Sequence, residues 1–304
     1  MQPRFIAATF ACLLAFAAVH AREKDKPARA EARPTARAPL AGQSFDDLEL
    51  DAFLEKETRK LVAAEKLGPL KFERRKCNAA LPPGSAENLP WTTIALRAEA
   101  STLVLGEVYR EGKSKKDEFS VAAGGFVIAE SGAVVTCLHV ANEKGTRGLS
   151  ALTRDGRVFA VREALTADPE NDLVVLQLDL PPGVTLPALP LATDPAPTAA
   201  PIAVMSHPEE HFWMWTTGTV ARQTLVRNSS GEHFYTTITA DFAKGSSGCP
   251  VLDEHGSAIG VVNNTESIYY EDDGRRKQVD LQMVVRNVTP SWVVRKLITS
   301  AGGN

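Results

Sequence analysis

Asp241-Phe-Ala-Lys-Gly-Ser-Ser247-Gly-Cys-Pro250 is the stretch that most constrains the fold of this chain of 304 residues. It sets Ser247 beside glycine and ahead of a proline, and the apolar pair Val251-Leu252 that follows is typical of a strand. Glycine allows the sharp backbone turn that exposes a nucleophilic hydroxyl group. We therefore predict that Ser247 is a catalytic nucleophile. An ordinary polar loop is the competing interpretation, but it does not explain the strand.

Two upstream segments contain the partners that a serine nucleophile needs. Thr136-Cys-Leu-His139-Val contains a candidate general base, and Asn171-Asp172-Leu-Val-Val-Leu contains a candidate carboxylate. An imidazole accepts the hydroxyl proton during attack and returns it to the leaving group, while a carboxylate on its other nitrogen fixes the tautomer. The sequence thus predicts a catalytic triad of His139, Asp172 and Ser247.

The same stretch predicts an oxyanion hole. The backbone N–H groups of Gly245 and Ser247 are expected to point at the negative charge that develops on the attacked carbonyl oxygen. Loss of one such donor typically raises the barrier by roughly 3 kcal/mol.

These motifs, in the order His, Asp, Ser, resemble a trypsin-like serine peptidase of the bacterial, HtrA-like branch. The resemblance covers about Ser101 to about Ser300 and includes Gly124-Gly125-Phe-Val-Ile and Gly256-Ser-Ala-Ile-Gly-Val-Val. It implies an all-β fold of two six-stranded antiparallel β-barrels, with a C-terminal helix and an N-terminal helical extension. The implied function is an exported serine endopeptidase that hydrolyses polypeptides through an acyl-enzyme intermediate.

Departures from the family pattern keep a second function open. Cys249 stands where many members have glycine, so we expect its side chain to crowd the site. The alternative is a catalytically silent binding protein on the peptidase fold, or a latent zymogen blocked by its N-terminal extension. The printed chain ends at Asn304 soon after the predicted closing helix, so no PDZ module is expected.

The resemblance also implies substrate-binding positions. Asp241, six residues before Ser247, would form a pocket floor that favours Arg or Lys, unless it is a structural acid. Asn263, Asn264 and Thr265 are expected to line the opposite wall and to hydrogen-bond an extended substrate. The wall segment contains no histidine, which argues against a preference for glutamate.

Composition restricts the partners. The chain is 44% hydrophobic and 23% charged with a net charge of −3, which is typical of a soluble globular protein. It contains no long basic cluster with aromatic residues, no glycine-rich phosphate loop and no ligand-spaced Cys/His cluster. We therefore expect a polypeptide substrate, and neither nucleic acid, cofactor nor metal. The oligomeric state is left open.

The N-terminal region divides by composition. Residues 1–21 carry Arg4 and an apolar run, which predicts a signal peptide cleaved after Ala21 and a periplasmic or secreted protein; an uncleaved anchor is the alternative. Residues 22–45 are rich in Ala, Pro and Arg and are predicted to be a disordered linker. A helical extension over 46–90 and a peptidase domain over 91–304 follow.

Removal of the predicted signal would leave Cys77, Cys137 and Cys249. An odd number in an exported protein leaves at least one thiol without a partner in the same chain. The trypsin-like resemblance implies that Cys137 and Cys249 lie close together beneath the active site. One hypothesis is a disulfide that joins the two barrels, and the alternative is a pair of small apolar core residues.

Hydrophobic spacing predicts the regular elements. Apolar residues from Asp46 to about Leu67 follow a helical period up to Gly68-Pro69. Three roles are open for this helix: packing on the peptidase, self-association, or action as a propeptide. A second helix is predicted at Pro290–Ser300. Strands are predicted at Thr102–Tyr109, Ala122–Ile128, Ala133–Thr136, Leu173–Leu178, Ile202–Met205, Thr216–Val220, Phe234–Thr239 and Ile259–Val262.

Overall fold

The computed structural model describes residues 44–112, 114–228, 231–271 and 278–299. All of them belong to one unit, Ala36–Asn304. The predicted signal peptide, 1–21, and nearly all of the predicted linker, 22–45, lie outside the described residues. No helix in the described part of the chain is long and apolar enough to cross a membrane.

Three elements precede the barrels. They are the helix α1 (Asp47–Ala63), the two-residue strand β1 (Cys77–Asn78) and the helix α2 (Trp91–Ser101). The side chain of Asp46 caps α1 by accepting hydrogen bonds from the N–H groups of Leu48 and Glu49. The helix ends before the predicted Gly68-Pro69 because the backbone turns at residues 64–65, where Glu65 adopts a φ of 57°.

The first barrel contains six antiparallel strands. They are β2 (Thr102–Tyr109), β3 (Glu118–Ala129), β4 (Ala133–Cys137), β5 (Thr146–Leu152), β6 (Val158–Asp168) and β7 (Leu173–Leu178). They close in the order β2-β3-β4-β7-β6-β5. The short helix α3 (Leu138–Ala141) lies between β4 and β5.

The second barrel also contains six antiparallel strands. They are β8 (Pro201–Ser206), β9 (Met214–Asn228), β10 (Gly231–Ile238), β11 (Pro250–Leu252), β12 (Ala258–Glu271) and β13 (Gln278–Pro290). They close in the order β10-β13-β12-β11-β8-β9. The chain continues into the helix α4 (Ser291–Leu297) and the strand β14 (Ile298–Thr299), which pairs in parallel with β1. The predicted fold of two six-stranded barrels with a C-terminal helix is confirmed.

Helix α1 packs against the first barrel through one apolar stripe. Leu50 and Leu54 are buried in the core that also fills this barrel. The buried hydroxyl groups of Thr58 and Ser150 on β5 are 2.6 Å apart and hydrogen-bonded. Burial of a leucine stabilises a fold by about 1.5–3 kcal/mol. The helix is therefore a packed part of the domain, as the first of the three sequence alternatives states.

Helix α2 was not expected from the sequence. Pro90 stands at its N-cap position, and Ile94, Ala98 and Ser101 form its buried face. The helix passes directly into β2, which is where the first strand was predicted. Helix α2 therefore forms the segment that leads into the first barrel.

Candidate active site

Strand pairing brings His139 and Asp172 together. The last residue pair of the antiparallel neighbours β4 and β7 joins Cys137 to Leu173. His139 follows β4 and Asp172 precedes β7, so both lie at the same end of this ladder. Imidazole Nδ1 is 2.6 Å from Asp172 Oδ2, and the backbone N–H of His139 donates to Oδ1 at 2.9 Å. The carboxylate thus holds the ring through one nitrogen and leaves Nε2 for a partner in the cleft.

Asp172 lies in a tight turn with a left-handed backbone, φ 53°. Aspartate tolerates this region better than most residues do. The backbone N–H of Leu138 donates to the Asp172 carbonyl oxygen at 3.1 Å and fixes the turn. Asp168, the other carboxylate of the segment, is buried and accepts a hydrogen bond from Asn171 Nδ2 at 2.8 Å. Asp172 is therefore the carboxylate that contacts His139, whereas Asp168 stabilises the turn.

The loop before β11 exposes one of two adjacent serines. Ser246 is fully buried, whereas Ser247 is only partly buried. Gly245 adopts a φ of 88°, and a Cβ there would meet the carbonyl oxygen of His207 at 2.6 Å. Glycine is required at this position by both conformation and space. The carbonyl of Ser247 accepts a hydrogen bond from the Gly124 N–H at 3.0 Å, which ties the loop to the first barrel.

The Ser247 hydroxyl does not contact the imidazole in this structure. It donates a long hydrogen bond of 3.4 Å to the carbonyl oxygen of Asn263, and no hydrogen bond between Ser247 and His139 occurs among the described residues. The two segments are nevertheless adjacent, because Cys137 Sγ and the Gly248 N–H both donate to the carbonyl oxygen of Val262. Catalytic hydrogen bonds often align only when substrate is bound.

The predicted oxyanion donors are available. Within the described ranges, the backbone N–H groups of Gly245 and Ser247 have no hydrogen-bond acceptor. The neighbouring groups are occupied, since the Ser246 N–H donates to the Ala243 carbonyl oxygen at 3.1 Å and the Gly248 N–H donates to Val262. Two donors on either side of a bonded one are the arrangement that an oxyanion requires.

The side chain of Asn263 supports the carboxylate of Asp172. Its Nδ2 donates to Asp172 Oδ2 at 3.2 Å and to Thr289 Oγ1 at 3.1 Å. Asn263 is only 6% exposed. The structure therefore directs this side chain at the carboxylate and away from the solvent-exposed wall, where Asn264 and Thr265 lie. Nothing in the sequence distinguished the two neighbouring asparagines.

Comparison with known proteins shows which family the chain is similar to. A family model described as a trypsin-like peptidase domain matches residues 122–261, which include His139, Asp172 and Ser247. Serine protease HTRA1A of Danio rerio is 27% identical over 169 residues. Residues 122–261 thus match a trypsin-like peptidase domain, and the chain is similar to an HtrA-type serine protease.

The relatives are longer than the part of them that this chain matches. The match to HTRA1A covers 53% of this chain and 34% of that protein. An uncharacterized protein, y4bJ of Sinorhizobium fredii (strain NBRC 101917 / NGR234), is 28% identical, over 49% of this chain and 23% of its own length. The chain thus matches only about a third or less of each curated relative.

Two solved structures share the fold. Both are of the HtrA-type protease AlgW with a decapeptide, the second being a variant of it. They give TM-scores of 0.52 and 0.53 at 19% identity and cover 69% and 68% of this chain and 66% and 65% of theirs. At this identity the likeness supports the two-barrel fold alone.

The three cysteines in the described part of the chain are free. Cys77, Cys137 and Cys249 are buried, and none forms a disulfide in the structure. The hypothesis of a bond between Cys137 and Cys249 is therefore wrong for this structure. Cys137 Sγ instead donates to the Val262 carbonyl oxygen at 3.1 Å, and Cys249 packs against Gly124. Burial raises the pKa of both thiols and keeps them neutral.

Contrary to the expectation from the sequence, Cys249 does not crowd the cleft. Its side chain is fully buried and occupies the space that the missing Cβ of Gly124 leaves free on β3. Cys137, His139 and Asp172 place possible ligand atoms within 4.8 Å of one another. The hydrogen bond between His139 and Asp172 and the neutral, buried thiol of Cys137 explain this cluster without an ion.

The environment of Asp241 differs from that expected for the floor of a substrate pocket. Its side chain is 77% exposed and forms an ion pair with Arg286 of β13, whose Nη2 is 2.6 Å from Oδ1. The Asp241 backbone is held by Thr216 Oγ1, which donates to its carbonyl oxygen at 2.6 Å. A carboxylate that is already paired with a guanidinium group offers no unpaired charge to Arg or Lys. The prediction of basic specificity is therefore not supported by this geometry.

Tyr235 of β10 is a further residue of the site that sequence reasoning missed. It is partly buried, and its hydroxyl group lies near the side chain of Asn264. Burial, together with the negative charge of Asp172, raises the pKa of Tyr235. The tyrosine therefore stays protonated near neutral pH and adds a neutral polar group to the exposed wall.

Proposed function

We propose that this chain is an exported serine endopeptidase that hydrolyses polypeptides by the Ser247–His139–Asp172 mechanism. The observation that carries the proposal is that Asp172 holds His139 through two hydrogen bonds, while a partly exposed Ser247 lies in an adjacent segment. The structure of the HtrA-type protease AlgW with a decapeptide supports a peptide substrate.

The first half of the reaction forms a covalent intermediate. Ser247 Oγ attacks the scissile carbonyl carbon while His139 Nε2 accepts its proton, and Asp172 stabilises the resulting imidazolium. The N–H groups of Gly245 and Ser247 bind the oxyanion. The tetrahedral intermediate then expels the amine, which takes the proton from His139, and leaves an acyl ester on Ser247.

The second half repeats this chemistry with water. His139 accepts a proton from water as the water oxygen attacks the ester carbonyl carbon. The new carboxylic acid leaves, and the proton returns to Ser247 Oγ. Asn263 holds Asp172 throughout both halves, because its contacts with the carboxylate and with Thr289 do not involve the substrate.

A silent or latent protein is the second candidate. Two observations favour an open site over this alternative. The His139 side chain is 51% exposed, and Cys249 is buried away from the cleft.

Helix α1 packs on the first barrel through Leu50 and Leu54. Its N-terminal end meets residues 211–212, where the Phe212 N–H donates to Asp47.

Export through a cleaved signal is part of the proposal. Its support is the pattern of residues 1–21, in which Arg4 precedes a short apolar run that ends at Ala21. The intact mass of the protein isolated after expression with its own N-terminus tests this. A chain that begins at Arg22 supports cleavage and export, and a retained Met1 contradicts it.

Cleavage of an unfolded polypeptide tests the catalytic proposal. We expect the purified protein to cleave reduced, carboxymethylated casein, and Ser247→Ala and His139→Ala to abolish this activity. Ser246→Ala is the matched control, because its hydroxyl group is fully buried next to the nucleophile. Activity that survives Ser247→Ala would overturn the assignment.

A further inference from the structure

We infer that Arg286 makes this peptidase prefer an acidic side chain, Asp or Glu, immediately before the scissile bond. The inference rests on the proposed function, because it names the substrate class of the same site. It depends on where Arg286 lies, on how its guanidinium group is paired, and on how easily its present partner is displaced.

The strand register places Arg286 next to the wall of the cleft. Arg286 pairs with Thr265 of β12 and with Ile238 of β10. Thr265 lies two residues beyond Asn263, which accepts the hydrogen bond from Ser247. Two residues of an extended strand span about 7 Å, and neighbouring strands lie about 4.8 Å apart. The backbone of Arg286 therefore lies on the strand next to the wall segment that contacts Ser247.

The side chain points into the mouth of the second barrel. Val288, two residues further along β13, is fully buried in the core of that barrel. Because side chains alternate along a strand, Arg286 lies on the same face. Its guanidinium group reaches Asp241, in the segment that leads to Ser247. The positive charge thus lies between that segment and the wall formed by Asn264 and Thr265.

The guanidinium group has unused donor capacity. Its Nη2 pairs with Asp241, and its Nη1 donates to the Val284 carbonyl oxygen at 3.2 Å. Its Nε is buried and has no partner among the described residues. A buried, unpartnered N–H of a charged group is costly, and a carboxylate that binds the Nε and Nη2 edge together would satisfy it.

Asp241 is a displaceable partner. Its carboxylate is 77% exposed, whereas the Arg286 side chain is 20% exposed. The Asp241 carboxylate is solvated when it rotates into water, and a substrate carboxylate that takes its place keeps the Arg286 charge paired, so the exchange costs little. Only the backbone of Asp241 is fixed, through Thr216. A substrate carboxylate can therefore replace it, whereas a substrate Arg or Lys would meet the positive charge of Arg286.

Matched peptides test the preference in two arms. The first compares kcat/KM for peptides that differ only in Asp or Asn, and Glu or Gln, before the scissile bond. We expect the acidic peptides to be cleaved about tenfold faster, which is typical of one charge-assisted bidentate contact. Arg286→Gln should remove this ratio, and Asp241→Asn should preserve or increase it. An apolar or basic preference, or an acidic preference that survives Arg286→Gln, would overturn the inference.

The second arm does not require catalysis. Fluorescence anisotropy measures binding of the same labelled peptides to Ser247→Ala protein, with and without Arg286→Gln. Tighter binding of the acidic peptides that depends on Arg286 supports the inference even if the protein lacks turnover, which would sink only the proposed function. Equal affinity for Asp and Asn peptides would overturn the inference whether or not the enzyme is active. Near-native unfolding curves for Arg286→Gln are the control for folding.

Discussion

The Sγ atom of Cys249 occupies the space that a Cβ on Gly124 would need, so these two residues fit together only because one lacks a side chain. The contact joins β3 of the first barrel to the segment that follows the nucleophile in the second. The Gly124 N–H also donates to the Ser247 carbonyl oxygen. The departure from the family pattern at Cys249 is thus accommodated at the junction of the barrels and leaves the cleft open.

Gly124→Ala should destabilise the fold by about 2–3 kcal/mol, because an overpacked core forces neighbouring groups to move. Cys249→Ala in the same protein should restore at least about 1 kcal/mol by removing the clashing sulfur atom. Urea unfolding of the two single variants and the double variant measures this coupling. Additive effects would contradict the contact.

Acid should weaken the contact between the barrels at His207. Its Nε2 donates to the Leu103 carbonyl oxygen at 3.2 Å, and its Nδ1 accepts from the Trp213 N–H at 3.0 Å. Burial lowers the pKa of His207 from 6.5 to about 4. The unfolded chain therefore binds a proton between these values while the folded protein does not, so stability falls as pH decreases through this window.

At about pH 4.5 the expected loss from His207 is about 2 kcal/mol relative to pH 7. Urea unfolding of the natural protein and of His207→Gln at both pH values measures it. Carboxylates titrate in both proteins, so the difference between their pH slopes isolates the histidine. Equal slopes would rule out a neutral, buried His207.

Removal of the Asn263 amide should lower kcat while leaving KM nearly unchanged, because the group holds Asp172 and is buried from the substrate. We expect Asn263→Ala to reduce kcat about 10- to 100-fold, which is typical of the loss of a group that orients a catalytic residue. Steady-state kinetics on one peptide substrate provide both constants. A large rise in KM at constant kcat would instead indicate that the side chain binds substrate.

Helix α1 should contribute to stability through Leu54. This side chain is fully buried, so Leu54→Ala should cost about 3 kcal/mol. Leu48 lies on the same helix at 60% exposure and is the matched control, with an expected change of at most about 0.5 kcal/mol. Thermal unfolding compares the two. If both variants are as stable as the natural protein, α1 is not part of the folded domain and a removable propeptide is favoured.

The thiols should be free but inaccessible. In protein that begins at Arg22, we expect Cys77, Cys137 and Cys249 to react with a thiol reagent only after denaturation, without any reductant. Reaction of the native protein should be slow, since all three are buried. A single reactive thiol per denatured chain would instead indicate a disulfide.

The sequence predicts those parts of this fold that local patterns encode. The strands predicted at Thr102–Tyr109 and Leu173–Leu178 coincide with β2 and β7, because each apolar run is bounded by residues that favour turns. Strands β5, β6 and β13 were not predicted. Strand β13 contains Asp280, Gln282 and Arg286, so its pattern lacks a continuous apolar run. It forms a strand because it pairs with β12 and β10.

In the candidate site, too, local patterns indicate some residues and only tertiary contacts reveal the others. His139, Asp172 and Ser247, the proposed triad, stand in short motifs that local sequence patterns can indicate. The roles of Asn263 and Arg286 arise from contacts with Asp172 and Asp241, far away in the chain. Arg286 lies 39 residues after Ser247, so no local motif connects them. Tertiary pairing decides which neighbouring asparagine turns inward and which charge faces the cleft.

The central claim is that Ser247 is an activated nucleophile, and labelling by a fluorophosphonate probe tests it most directly. Intact mass of the protein without residues 1–21 should show one adduct per chain, which is absent in Ser247→Ala and retained in Ser246→Ala. His139→Ala should slow labelling strongly, because the imidazole accepts the proton from Oγ. A folded protein that forms no adduct, or an adduct that persists in Ser247→Ala, would contradict the account.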